Sequence, residues 1–135
     1  MATEAWLKTF LSDHGGIAGS VHLLQGDLLQ LSSSVNLPPP VVKVTATIPK
    51  GKGMAGLAWE RDEVVAVCNI KSDTSGDVRP GAKAVDAQAA LAIPVRSASG
   101  DLRAVVGIAF MGERNFSEQE LQAFEAAAAS LPDAG

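Results

Sequence analysis

Two apolar stretches, each interrupted by a short polar turn, constrain the fold of this chain more than any other feature. Residues 18–35 and 89–111 each have the pattern strand, turn, strand, with turns at Gln25-Gly26-Asp27 and at Ser97–Asp101. Turns this short join antiparallel strands, so the sequence predicts two hairpins. The second strand of the first hairpin is predicted to present these residues on one face: Leu29, Leu31, Ser33 and Val35.

A helix is predicted near each end of the chain. Residues 3–13 carry apolar side chains at helical spacing and are followed by Gly15, a helix terminator. Ser117 and Glu120 form a capping pair at the start of an apolar helical pattern that runs to Leu131. Hairpins combined with flanking helices indicate an α+β domain, an antiparallel sheet with its helices to one side.

The segment between the hairpins has a mixed pattern. Residues 41–48 alternate like a strand but fit a turn of helix equally well, and the flanking prolines favour a helical connector over a central strand. A short helix is predicted at 53–60 and a valine-rich strand at 63–70. The polar loop that follows, residues 72–88, is long for a compact domain, and such loops often carry function.

The segment Gly51-Lys52-Gly53-Met54-Ala55-Gly56 matches the G-x-G-x-x-G pattern of dinucleotide-binding turns. That fold needs a crossover of at least about ten residues to a parallel strand, whereas about seven residues separate Gly56 from Val64. The surrounding hairpins also belong to an antiparallel sheet. We therefore interpret Gly51 and Gly53 as positions that need a positive φ angle, and Gly56 as a point where a helix approaches the sheet closely.

Charge and hydropathy argue against two classes of partner. The net charge is −4 and the 11 lysines and arginines are scattered, whereas a nucleic-acid surface needs clustered basic residues. No apolar run reaches the roughly 18 residues of a spanning helix, and the amino terminus does not have the pattern of a signal peptide. We therefore expect a cytoplasmic protein that binds neither nucleic acid nor membrane.

The order of several short motifs resembles the GAF domain family. GKGMAGLAWERDEVVAV is followed, after the polar loop, by ALAIPV, LRAVVGIAF and NFSEQELQAFEAAAASL. The resemblance covers about residues 16–131 and implies a single GAF-like domain over 1–135, with a short helix before its core. It also implies a PAS-like fold, in which a central antiparallel sheet has the N- and C-terminal helices on one face and a loop-covered cavity on the other.

Members of this family bind cyclic nucleotides, tetrapyrroles, amino-acid derivatives or metal centres, and many serve as dimerising or protein-contact modules. One enzymatic branch reduces free methionine sulfoxide, using cysteines in the loop before the proline-containing strand and carboxylates late in the strand that here reads VVGIAFMGE. In this chain the loop has Ala84, Val85 and Ala87, while Phe110 and Gly112 stand about where the carboxylates would fall. The resemblance therefore implies a domain that is not an enzyme and has no catalytic residues.

The loop at 72–88 offers the strongest candidate ligand contacts. Its hydroxyl and carboxylate oxygens suit polar groups, and Arg79 near backbone N–H groups suits a carboxylate or phosphate. The predicted ligand-binding residues are Trp59, Asp73, Thr74, Ser75, Asp77, Arg79 and Gln88. The alternatives are a solvated loop whose acidic and basic side chains satisfy one another, and a Trp59 that belongs to the core.

Three further side chains carry reactive chemistry. Cys68, the only cysteine, follows Val67 in a predicted strand, where a free cysteine is usually a small buried hydrophobe. A redox or ligand role for Cys68 is the alternative. His14 and His22 have no accompanying ligand pattern, so the sequence predicts no metal site.

The sequence thus predicts a non-catalytic sensory or regulatory domain in bacterial-style signalling, with a small molecule of unknown identity bound beneath the loop at 72–88. The sequence does not identify a cofactor. We expect no output domain in this chain, and we therefore expect the signal to pass to a partner protein or through a homodimer. The terminal helices offer a dimerising surface, although the same side chains suit packing within the chain: Trp6, Phe10, Leu121, Phe124 and Ala128. The alternatives are a contact or dimerisation module without ligand and, less favoured, a free methionine sulfoxide reductase.

Overall fold

The computed structural model describes residues 2–37, 39–67, 89–111 and 115–132. Within these ranges helices and strands follow one another along the chain. In order they are α1 (Ala2–His14), β1 (Ala18–Gln25), β2 (Leu28–Val35), α2 (Pro39–Thr45), β3 (Thr47–Pro49), α3 (Gly53–Arg61), β4 (Val65–Val67), β5 (Ala89–Arg96), β6 (Leu102–Phe110) and α4 (Glu118–Ala128).

The strands form one sheet in the order β3-β2-β1-β6-β5-β4, and every neighbouring pair is antiparallel. The two predicted hairpins, β1–β2 and β5–β6, are present and meet through the pairing of β1 with β6. Residues 41–48, which the sequence left ambiguous, supply most of helix α2 and then the short edge strand β3. The predicted α+β class with an antiparallel sheet is confirmed.

One side of the sheet, which we call the packed face, is covered by α1 and α4. Its core is continuous and includes Leu7, Ile93, Ile108 and Phe124. The Phe124 ring lies 6.5 Å from Phe10 and 6.0 Å from Phe110 in edge-on contacts, a favourable geometry for aromatic pairs. The packed face therefore resembles an ordinary close-packed protein interior.

Most of the side chains that were predicted as a dimer surface on the terminal helices pack into this core instead. Phe10 and Phe124 are each 4% exposed and Ala128 is fully buried, while Trp6 and Leu121 pack against the same cluster from partly exposed positions. The intrachain alternative thus accounts for these side chains. The start of α4 is the predicted capping box, in which Ser117 Oγ accepts from the Glu120 backbone N–H and Glu120 Oε1 accepts from that of Ser117.

The opposite side, which we call the hollow face, is covered by α2 and α3. Two smaller clusters pack there, one around Val41 and Val67 and the other around Leu29, Ile48 and Ala58. The hollow-face residues of the three central strands are mostly small: Ala18, Ser20 and His22 on β1, Ala90 and Ala92 on β5, and Gly107 and Ala109 on β6. Small side chains leave space between the sheet and its covering helices.

The prediction that Leu29, Leu31, Ser33 and Val35 share one face is wrong. A bulge interrupts the register of β1 with β2, since Val21 pairs with Ser33 but the next residue, His22, pairs with Leu31. The extra residue, Ser32, moves Ser33 to the packed face, where its Oγ lies 2.7 Å from Thr3 Oγ1 of α1. Leu29 stays on the hollow face in contact with the cluster around Ile48. A bulge changes which face the following residues occupy, and alternation alone does not reveal it.

The interpretation of the glycine motif is confirmed. Gly51 and Gly53 have φ angles of 82° and 65°, in the region that glycine adopts without strain. A Cβ at Gly56 would lie 2.5 Å from the Pro49 carbonyl oxygen, so this position lets α3 approach β3 closely. The segment is a tight entry into a nine-residue helix.

Candidate functional site

A cavity of about 130 Å³ lies on the hollow face between the sheet and its covering elements. Strands β1, β5 and β6 form its floor, while Leu37, α2, β3 and the start of α3 form its walls. Side chains in the walls are Leu37, Val41, Thr45, Ile48, Met54 and Ala55. The described lining is therefore almost entirely apolar, and the polar groups in it stand out.

The register of the strands explains why the floor is hollow. Ala18 of β1, Ala109 of β6 and Ala90 of β5 pair across the sheet in one row. The next row consists of Ser20, Gly107 and Ala92. The third row is larger, because it consists of His22, Val105 and Pro94. Two rows of minimal side chains, closed at one end by a bulkier row, thus leave a recess over the middle of the sheet.

Gly107 has a specific steric role in this floor. A Cβ at this position would lie 2.8 Å from Ser20 Oγ, closer than a side chain normally approaches. The absence of a side chain at 107 therefore leaves room for the Ser20 hydroxyl, one of the few polar groups of the floor.

Among the described residues that line this cavity, His22 is the titratable one. Its side chain is 3% exposed, and its Nε2 lies 2.7 Å from the Thr45 carbonyl oxygen. Thr45 is the last residue of α2, and a helix leaves its final carbonyls without partners inside the helix. Since a carbonyl only accepts, Nε2 carries the proton and donates, and His22 thereby caps the end of α2.

The other ring nitrogen of His22 has no such partner. Nδ1 is buried and makes no hydrogen bond to the described residues. Burial lowers the pKa of His22 below its ordinary value, and the hydrogen bond to Thr45 opposes that shift. The neutral ring with its proton on Nε2 leaves Nδ1 as a buried hydrogen-bond acceptor on a residue that lines the cavity.

The predicted ligand-binding residues lie mostly outside the described part of the chain. Asp73, Thr74, Ser75, Asp77, Arg79 and Gln88 all belong to this group, as does Cys68. Trp59 is described: it is half-buried on α3, packs against the cluster around Ile48, and has Lys50 Nζ 5.8 Å above its ring. Trp59 is not among the described residues that line the cavity. Its role as a ligand contact stays a prediction.

Residues 2–37, 39–67, 89–111 and 115–132 contain no group of three or more His, Cys, Asp or Glu side chains arranged to hold a metal ion. The helices in these same ranges include none with the length and hydropathy needed to span a membrane. Phe110, predicted to stand near the carboxylate positions of the reductase branch, is 3% exposed in the core of the packed face.

Sequence reasoning considered His22 only as a metal ligand and missed its place in the cavity. The signal available was a histidine within an apolar strand, two residues from Ser20 on the same face. The alternation of large and small apolar residues in ALAI and VGIA was a second signal. Both become informative only once the pairing of β1, β5 and β6 brings the small residues into adjacent rows.

Comparison with known proteins identifies the fold. The structure is similar to a type II free methionine-R-sulfoxide reductase from Thermoplasma acidophilum, with 19% identity, a TM-score of 0.73, and coverage of 96% of this chain and 91% of that one. It is similar to the free methionine-R-sulfoxide reductase of Neisseria meningitidis, with 17% identity, a TM-score of 0.74, and coverage of 93% and 71%. It is also similar to the GAF domain of an Acinetobacter phosphoenolpyruvate-protein phosphotransferase, with 19% identity, a TM-score of 0.71, and coverage of 96% and 74%.

These identities are low enough that the likenesses show the fold alone. No curated protein sequence matched the chain. The GAF domain family matches residues 5–134, nearly the whole sequence. The antiparallel sheet, the terminal helices on one face and the recess on the other agree with that match. This chain belongs to the GAF domain family.

Proposed function

We propose that this chain is a regulatory domain that binds a small molecule in the hollow-face cavity. The observation that carries the proposal is the recess itself, about 130 Å³ with an almost wholly apolar described lining and an unpartnered acceptor on His22. Ligand sites are typically concave and apolar with a few placed polar groups. A protein interior without a ligand is normally packed to a higher density than this.

The loop at 72–88 is proposed to complete the site from the side opposite the sheet. Its predicted contacts are Asp73, Thr74, Ser75, Asp77, Arg79 and Gln88. Together with His22 and Ser20 in the sheet they would supply polar groups to an otherwise apolar site. Arg79→Ala is expected to weaken binding of an anionic ligand and to leave binding of a neutral one unchanged.

Native mass spectrometry of freshly purified protein, combined with thermal-shift screening of nucleotides and amino-acid derivatives, tests the proposal. Ala92→Leu adds three carbons to the cavity floor and is expected to abolish any bound mass and any stabilisation by a ligand. Ala66→Leu is the matched control, because Ala66 is an exposed residue of the edge strand β4. A ligand whose effect survives Ala92→Leu would contradict the proposed site.

Regulation requires an output, and we propose that it passes through a partner protein or a second copy of the chain. Co-purification tests for a partner protein. Light scattering with and without the ligand found by screening tests for association with a second copy of the chain. A protein that binds no small molecule but forms a concentration-dependent dimer would instead support a contact module without ligand. A strictly monomeric protein that binds nothing would contradict both.

A second candidate function is favoured by the similarity to free methionine-R-sulfoxide reductases. A reductase of this kind needs a thiol that takes the sulfoxide oxygen and becomes a sulfenic acid, which a dithiol then reduces. Cys68 is the single cysteine that this chain offers. Consumption of free methionine-R-sulfoxide in the presence of dithiothreitol, lost in Cys68→Ser, would establish the activity; no turnover above the buffer rate would remove it.

A further inference from the structure

The unpaired Nδ1 of His22 indicates which chemical group a ligand would bring to this site. A buried acceptor without a hydrogen bond destabilises the folded protein, because the group has lost its water and gained nothing in exchange. His22 Nδ1 is such an acceptor within the described residues, because the side chain is only 3% exposed and Nδ1 has no hydrogen bond. The other ring nitrogen, Nε2, is hydrogen-bonded to Thr45. Such a group points to a partner that a ligand would bring.

We infer that the cavity takes a compact, mainly apolar molecule, or an apolar moiety of one, that presents a single N–H or O–H donor to His22 Nδ1. This inference rests on the proposed function and names the ligand class of the same site. The apolar part follows from the small aliphatic floor, two rows built from alanine, glycine and serine. The donor follows from the protonation of the ring, since Nε2 carries the proton and Nδ1 can only accept.

The volume of the recess sets the scale of the chemical group that the described lining can hold. An apolar cavity of roughly 150 Å³ in another protein stays dry and binds benzene, and the cavity here measures about 130 Å³. A six-membered ring with one hydroxyl or ring N–H is therefore the scale of molecule that fits. Phenol is a suitable probe, because it pairs such a ring with one O–H donor.

The protonation state of His22 is set by its surroundings rather than by a neighbouring charge. The described lining residues from β1, β5, β6, α2, β3 and α3 contain no titratable side chain other than His22. Burial is the main influence, and it lowers the pKa of the ring. Acidification through that pKa converts Nδ1 into a donor, so binding of a donor ligand is expected to weaken as the pH falls.

The test compares phenol with benzene, its isostere without the donor, by NMR titration of the protein. Two substitutions separate the two nitrogens of the ring. His22→Asn places an amide oxygen on Cγ, where Nδ1 was attached, whereas His22→Gln extends an amide N–H towards Thr45 and leaves the Nδ1 position vacant. Benzene binding by each variant reports whether the cavity is intact.

The benzene dissociation constant divided by the phenol dissociation constant is expected to be roughly tenfold larger in the wild-type protein than in His22→Gln. The reason is that one buried hydrogen bond contributes about this factor to phenol binding. His22→Asn is expected to retain most of the wild-type ratio. Equal ratios in all three proteins, with both molecules bound, would overturn the donor inference and leave the cavity as a binding site. Failure of both molecules to bind the wild-type protein would overturn the inference and count against the proposed site as well.

Discussion

The two faces of the sheet use the same strands and differ chiefly in side-chain volume. On β5, Leu91 and Ile93 point to the packed face while Ala90 and Ala92 point to the hollow face. On β6, Val106, Ile108 and Phe110 are on the packed face, and Gly107 and Ala109 are on the hollow face. Both faces are apolar and both are covered by helices. What distinguishes the face with a candidate site is that its side chains are too small to fill the space beneath the helices.

The largest expected effect comes from emptying the packed face. Ile93 is fully buried in its core, so Ile93→Ala removes contacts and leaves a void, which should lower the free energy of unfolding by about 2–5 kcal/mol. Urea denaturation measures this, with Met111→Ala as the control because Met111 is 68% exposed. A loss below about 1 kcal/mol would mean that the packed face collapses around voids and differs less from the hollow face than its packing indicates.

The same small-to-large change on the two faces sharpens the comparison. Ala104 is fully buried on the packed face, so Ala104→Leu should overpack the core and lower the free energy of unfolding by about 1–3 kcal/mol. Ala92→Leu has the recess above it and should change that free energy by less than about 1 kcal/mol. Urea denaturation of the two variants side by side decides the matter. Equal losses would show that the recess does not accept a leucine.

Much of this architecture follows from local sequence, and the site does not. The two hairpins, the capping box at Ser117 and the positive φ angles of Gly51 and Gly53 each depend on a few neighbouring residues, so the sequence predicts them. The assignment of faces depends on pairing between distant strands. The bulge at Ser32 places Ser33 on the packed face, and no local sequence pattern predicts this bulge.

The cavity is harder still to predict, because it is a property of three strands together. Alternation of apolar residues in β5 and β6 does not say which face is covered tightly, since both are apolar. His22 acquires its role only through Thr45, 23 positions later in the chain. The predicted ligand contacts in the loop at 72–88 rest on composition, and these residues lie outside the described ranges.

The pH dependence of stability tests the burial of His22 on the hollow face. Because the folded-state pKa lies below the ordinary value of 6.5, the unfolded chain takes up a proton first as the pH falls. The neutral His22 ring therefore contributes to the free energy of unfolding fully above pH 6.5. This contribution is lost between pH 6.5 and the lower folded-state pKa, at up to about 1.4 kcal/mol per pH unit.

Urea denaturation of the wild-type protein and of His22→Asn between pH 7.5 and pH 5.5 measures the contribution of His22 to the free energy of unfolding. The comparison separates it from the contribution of the carboxylates, which both proteins share. The wild-type protein should lose more stability than the variant over this range, because the variant has no ring to protonate on unfolding. Parallel losses in the two proteins would mean that the ring is solvated in the folded state, and Nδ1 would then not be an orphan.

The smallest expected effect concerns a side chain that links the end of α3 to α4. Arg96, at the end of β5, donates from Nε to Asp62 Oδ1 at 2.9 Å, from Nη2 to the Asp62 carbonyl at 2.7 Å, and from Nη1 to Glu125 Oε2 at 3.3 Å. Asp62 ends α3 on the hollow face and Glu125 lies on α4 of the packed face. Arg96→Met keeps most of the aliphatic stem and removes every one of these bonds.

Because the Arg96 side chain is 32% exposed, solvent screens its ion pairs, and Arg96→Met should lower the free energy of unfolding by about 0.5–1 kcal/mol. The informative measurement is amide hydrogen exchange, which reports local opening as well as global stability. If Arg96 holds the end of α3, exchange should accelerate at residues 57–61 more than in the central strand β1. Lys8→Met is the matched control, since the Lys8 side chain is 64% exposed and its Nζ lies 3.9 Å from Glu4 within α1. Uniform acceleration across α3 and β1 would mean that the faces are joined by the sheet alone, and that movement of α3 over the cavity has no direct route to α4.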